Sequence, residues 1–196
     1  MGWTIEMSVV LPLEEFLASR VEGVENLLRP FAEARRGQVI CQLLRGPHRG
    51  GLVISSNDLL RRGEHYRDWR FRSYVRSIWF QYFELWQLIN GGRAVSLHQA
   101  YLNVFREDRV AHKLNEFVCI HCDPSDNSEE PLGSYKRGPH LHVIQAERPL
   151  CDGHFPLNVS HLDAVLQSAE ALTNALRVAF SVVREEVFEK CRVLRD

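Results

Sequence analysis

Cys119-Ile120-His121-Cys122-Asp123-Pro124 opens a stretch, ending at His161, that gathers five of the chain's nine histidines and three of its five cysteines. Two further segments complete it: Lys136-Arg137-Gly138-Pro139-His140-Leu141-His142-Val143 and Cys151-Asp152-Gly153-His154-Phe155-Pro156. Imidazoles exchange protons near neutral pH, and flanking cations hold a phosphate and stabilise the charge that develops on it. In an extended strand His140 and His142 project from one face, with His121 on the preceding strand and His154 after the next turn. This set predicts a histidine-dependent phosphoesterase or nuclease-like enzyme acting on a nucleotide or on RNA or DNA. His140, His142, His154 and His121 would supply acid, base or metal ligation, Asp123 would orient or ligate, and Lys136 with Arg137 would hold phosphate.

A zinc site is the second reading of the same residues. Cys119 and Cys122 form a CxxC pair, and His140 with His142 follows a loop of 17 residues, so two thiolates and two imidazoles could share a tetrahedral ion. Two features weigh against it. Structural sites usually space their histidines by about three to five residues, and a regular strand points Cys119 and Cys122 to opposite faces. The residues do not name a cofactor; zinc or another divalent metal is the candidate, since Asp123 and the histidines could equally bind a catalytic ion. A plainer reading makes His121 and His142 satisfied sheet residues and the two cysteines small buried hydrophobes.

Known motifs are mostly excluded. His140-Leu141-His142-Val143 begins like a histidine-triad nucleotide hydrolase, but the third histidine's position holds Ile144. Two-histidine phosphoesterases place Ser or Thr two residues after each histidine, where this chain has His142 and Pro156. No Walker motif, Rossmann fingerprint or Gly-x-Ser-x-Gly elbow occurs. Gly138-Pro139-His140-Leu141-His142 ahead of a terminal helix resembles small bacterial toxin-like domains, which implies a prokaryotic origin.

The elements that must position these residues follow from periodicity. Leu13, Phe16, Leu17, Val21, Val24, Leu27, Leu28 and Phe31 recur at three- and four-residue steps, which predicts a helix that Pro30 ends. Gln38 to Leu44 and Leu52 to Ser55 flank a Gly- and Pro-rich turn and predict a hairpin. Leu59 to Ile89 reads as a second helix, with Arg62, His65, Trp69, Arg72 and Arg76 stacked as a basic stripe and an aromatic run from Trp79 to Trp86. Arg62, Arg72 and Arg76 would then bind phosphate or nucleic acid. Asn90-Gly91-Gly92 would end that helix. Val95 to Phe105, Phe117 to Cys122 and Leu141 to Ile144 are expected strands, and a long apolar stripe after Ser160 predicts a C-terminal helix.

The fold class expected is therefore α+β, a small antiparallel β-sheet packed against three long helices, the last C-terminal. One domain should span residues 1–196: a helix, hairpin and aromatic helix over 1–93, a β-rich segment over 94–159, and the terminal helix over 160–196. A net charge of -1 with 25% charged residues argues against a globally basic nucleic-acid binder. An odd cysteine number at irregular spacing points to a reducing compartment, and the absence of a basic leader or a long uninterrupted apolar run points to a cytoplasmic protein without a membrane span. The alternative function is a non-catalytic adaptor in a multiprotein complex, docking a protein partner through the Trp79–Trp86 helix or the C-terminal helix, with a structural zinc.

Overall fold

The fold rests on a computed structural model that describes residues 8–31, 38–43, 51–57, 70–75, 77–124, 139–143, 153–156 and 165–190. Among these residues nine antiparallel strands form one sheet: β1 Val10–Pro12, β2 Gln38–Leu43, β3 Gly51–Asn57, β4 Phe71–Arg72, β5 Ile78–Ile89, β6 Ala94–Asp108, β7 Lys113–Cys122, β8 His140–Val143 and β9 Gly153–Pro156. The main order is β2-β3-β5-β6-β7-β8-β9, with β1 beside β6 and β4 beside β5. Two helices cover one face. α1 runs through Leu13–Glu15, a π-helical segment Phe16–Arg20, and Val21–Leu28; α2 runs through Ala169–Val183 and continues as a π-helical segment Arg184–Glu189. Neither is long and apolar enough to cross a membrane.

Two expectations are overturned. The sheet is large and the helices number two among the described residues, because the aromatic segment is not a helix: Ile78–Ile89 is the central strand β5. Its side chains alternate. Ile78, Phe80, Tyr82, Glu84 and Trp86 face the helices, while Trp79, Gln81, Phe83 and Leu85 take the other face, and every one of these is buried. A strand buried on both sides loses the polar alternation that marks a half-exposed strand and reads like a buried helix, but its aromatic and β-branched content favours the strand. The Trp79–Trp86 helix proposed as a docking surface therefore does not exist. Arg72 sits in β4 opposite Trp79, and Arg62, His65, Trp69 and Arg76 lie outside the described residues.

The left-handed tolerance of Asn90-Gly91-Gly92 serves a hairpin. Asn90, Gly91 and Gly92 have φ of 52°, 67° and 83° and turn β5 into β6. α2 starts at the N-cap Ser168, whose Oγ accepts from the Ala171 N–H at 3.1 Å. Ser160 lies outside the described residues. The stripe Leu172, Leu176, Ala179, Phe180, Val183 and Phe188 packs on this chain's own sheet and on α1, with Phe31 meeting Phe180 at 5.7 Å and Phe188 at 5.3 Å.

One polar cluster is built into this core. Glu84 is fully buried and Arg20 is 4% exposed. Arg20 Nε and Nη2 donate to the two Glu84 oxygens at 2.9 and 2.5 Å, the Tyr82 hydroxyl donates at 2.5 Å and Trp86 Nε1 at 2.9 Å. Arg20 Nη1 reaches Thr173 of α2 at 2.5 Å. Burial acts to lower the Arg20 pKa, but the Glu84 carboxylate outweighs it and holds the guanidinium above its ordinary range. Burial and the same carboxylate push Tyr82 well up.

Removing one partner leaves an uncompensated buried charge. Arg20→Met is expected to lower the unfolding free energy by about 3–5 kcal/mol in urea titrations, and adding Glu84→Gln, which removes the stranded charge and keeps an acceptor for Tyr82 or Trp86, should restore part of it. A single-variant loss below about 1 kcal/mol would show that the pair does not hold α1 to the sheet.

Candidate metal centre and adjoining pocket

The face of the sheet opposite the helices carries the chemistry. Directly opposed residues of antiparallel strands share a face. One row across the sheet runs Ser55, Phe83, Tyr101, His121, His140 and Pro156 in register. The next runs Gln81, Asn103, Cys119, His142 and His154.

Two bulges set which residues face this way. The register shift between Leu85 and Trp86 leaves His98 as the extra residue of β6. Before it Val95 and Leu97 enter the core; after it Ala100, Leu102 and Val104 do, so Gln99, Tyr101 and Asn103 turn to the other face. A second shift between Val104 and Phe105 leaves Phe117 as the extra residue of β7 and brings Glu116 opposite Phe105.

His121, Asp123 and His140 form the one cluster of metal-ligating groups among the described residues, with a donor atom of each within 4.8 Å of the other two. His140 is 1% exposed; His121 and Asp123 are half-buried. The two imidazole rings lie 5.7 Å apart, nearly perpendicular at 79°. Tyr101 packs its ring 4.0 Å from that of His121 and donates its hydroxyl to Asp123 Oδ1 at 2.7 Å. A second-layer donor of this kind fixes the orientation of a ligating carboxylate.

A cavity of about 340 Å³ adjoins the cluster, with His121 on its wall. Phe83, Tyr101 and Phe105 supply aromatic surface and Gln81, Gln99 and Asn103 supply amides. Arg70 and Glu116 carry its charges.

Of the residues expected from the sequence, His121, His140 and Asp123 meet at one point. Backbone register puts His142 and His154 in the adjacent row, opposite each other. Lys136 and Arg137 lie outside the described residues. The structure separates the Cys119, Cys122, His140, His142 zinc set: Cys122 is enclosed in the helix-side core opposite Ala100, while Cys119 pairs with Asn103 in the site-face row. The strand's two-residue period is the cause. Burial pushes the Cys122 thiol well up, helped by the carboxylates of Asp123 and Glu84.

Tyr101, Gln81, Gln99, Asn103, Arg70 and Glu116 were not found from sequence. Tyr101 and Phe105 had the apolar look of core positions, and only the bulges, which leave no local sequence mark, reverse their phase. Compared with protein-family models, curated proteins and solved structures, the chain has no match.

A thiol sealed in the core and held protonated is inert. Under native conditions at pH 8, peptide mapping after treatment with a thiol reagent should find Cys122 unmodified, and modified fully in denaturant. Rapid native labelling at Cys122 would contradict the placement of β7.

Proposed function

We propose that the chain is a small cytoplasmic, metal-assisted phosphoesterase acting on a nucleotide or nucleic-acid phosphoester, with His121, Asp123 and His140 holding a divalent cation. The observation that carries this reading is the closeness of the three donors. In-line phosphoryl transfer without metal needs a base and an acid on opposite sides of the phosphorus, each at a hydrogen bond of about 2.6–3.2 Å. Two such bonds exceed the 4.8 Å that bounds His121 and His140. A shared ion fits better: ligand bonds of about 2.0–2.2 Å allow donors up to about 4 Å apart, so only a small side-chain adjustment closes the set.

Two imidazoles and one carboxylate leave coordination positions open for water and a substrate oxygen. A cation there lowers the pKa of its water and polarises a phosphoryl oxygen. His140 contributes a donor shielded from bulk water, and Tyr101 keeps Asp123 turned toward the histidines. His121 joins the centre to the cavity, which gives the non-reacting part of a substrate a place beside the reacting bond.

The adaptor reading loses its aromatic-helix surface, since that segment is the central strand, and α2 turns its apolar stripe inward, leaving only Val178 and Val182 of its large apolar residues exposed.

Chelator-stripped full-length protein should take up one equivalent of zinc or manganese, and His121→Ala or His140→Ala should abolish uptake. Tyr101→Phe should weaken it by about 10–100-fold. The loaded wild type should hydrolyse an aryl phosphodiester, with turnover lost in Asp123→Asn at unchanged melting temperature of the stripped protein. A folded chain that binds no divalent ion, or binds one and cleaves no phosphoester, sinks the reading.

A further inference from the structure

We infer that the cavity beside His121 binds the planar heterocycle of a mononucleotide-sized ligand. The inference rests on the phosphoesterase reading for the reaction but not for the binding, because the walls of the cavity speak to a ring independently of any ion.

Its aromatic side chains form stacked planes, an arrangement that a further planar ring extends. The Phe83 and Tyr101 rings lie parallel within 7°, with centroids 5.0 Å apart, and the Arg70 guanidinium covers the Phe105 ring at 4.7 Å. Aromatic faces and guanidinium planes are the surfaces on which unpaired bases stack.

Its polar groups suit the edge of a base. An amide carries both donors and acceptors, the combination that a base edge presents in return. Asn103 Nδ2 donates to Gln81 Oε1 at 3.2 Å, which fixes the pair side by side. Two buried atoms of the lining, Asn103 Oδ1 and Arg70 Nε, have no hydrogen-bond partner among the described residues. One is an acceptor and the other a donor. Buried polar atoms in this state are rare and need a reason, and a ring edge bearing a donor and an acceptor supplies one.

Size and charge narrow the class. Small-molecule pockets run from roughly 300 to 1,000 Å³, so 340 Å³ admits one base with its sugar and not a run of nucleotides. The lining holds one guanidinium and one carboxylate, so these charges cancel and favour a neutral ring over a second phosphate. With the ring in the cavity, the phosphoester on the sugar is directed toward His121 and the cation centre. A sugar phosphate or a lipid phosphate has no flat face to use here.

Phosphate-free nucleosides isolate this step from the metal. Chelator-treated full-length protein is titrated calorimetrically with adenosine, guanosine, cytidine and uridine, and with ribose 5-phosphate as the ring-free control. At least one nucleoside should bind saturably at one per chain, and ribose 5-phosphate should not. Asn103→Ala should weaken binding at least ~10-fold; Gln99→Ala, on the cavity rim, provides the same readout should the first variant fold poorly. The inference is overturned by a folded chain that binds no nucleoside, by ribose 5-phosphate binding as well as nucleosides, or by well-folded variants that bind like wild type. Metal uptake and phosphodiester cleavage without nucleoside binding would remove this inference alone. Nucleoside binding without metal uptake would keep it and remove the proposed reaction.

Discussion

A carboxylate at the centre of a sheet must be satisfied or the sheet does not form around it. Desolvating an ion costs several kcal/mol, and Glu84 is fully enclosed. Its two oxygens accept four hydrogen bonds, from Arg20 twice, from Tyr82 and from Trp86, which fills about all the lone-pair sites a carboxylate has. Tyr82, Glu84 and Trp86 are alternate residues of β5, so the strand itself aims the carboxylate and two of its donors at one spot. Arg20 comes from α1 and reaches on to Thr173 of α2. One ionic cluster therefore fixes where both helices sit on the sheet, a positional role that greasy contacts alone define less sharply.

The π-helical segment of α1 belongs to this arrangement. Phe16 and Arg20 are its two buried residues; Phe16 meets Trp86 edge-on at 5.1 Å, and the Arg20 guanidinium lies 5.9 Å from the same ring. Widened helical turns recur where a side chain must be re-aimed. With the helices committed to the Glu84 face, the opposite face of β5, β6 and β7 carries Gln81, Tyr101, His121 and their neighbours. The two faces of one strand thus divide the labour of the molecule: even-numbered residues of β5 organise the core, and Gln81 and Phe83 on the other face line the cavity.

Much of this was legible in the residues. Leu13 to Leu28 has a clean helical stripe, the first hairpin announces itself by its glycines, and β6, β7 and β8 were placed close to where they fall. His121, Asp123 and His140 stood out by type alone. What could not be read was β5, where burial on both faces removes the contrast between in and out, and the two bulges. A bulge adds one residue and inverts every later side chain, so Tyr101 and Asn103 changed face through a feature of pairing, not of local sequence. The CxxC pair misled for the complementary reason. Its spacing is meaningful in a turn, but Cys119 and Cys122 sit in a regular strand, where three positions always separate faces.

The same geometry says which ligand of the proposed centre has freedom to move. His121 and His140 are opposed residues in adjacent strands, so the ladder fixes both their backbones and their shared face. Asp123 is the first residue past β7, beyond the last paired position, and among the described residues its carboxylate is oriented by the Tyr101 hydroxyl. Tyr101 is in turn held by its register opposite His121 and by its stacking on Phe83. Closing the three donors from within 4.8 Å onto one ion is thus a matter of side-chain rotation on backbones the ladder holds, with Asp123, past the last paired position, on the least constrained backbone. Tyr101, which shares both the carboxylate and the cavity wall, is where occupancy of the cavity would be felt at the ion.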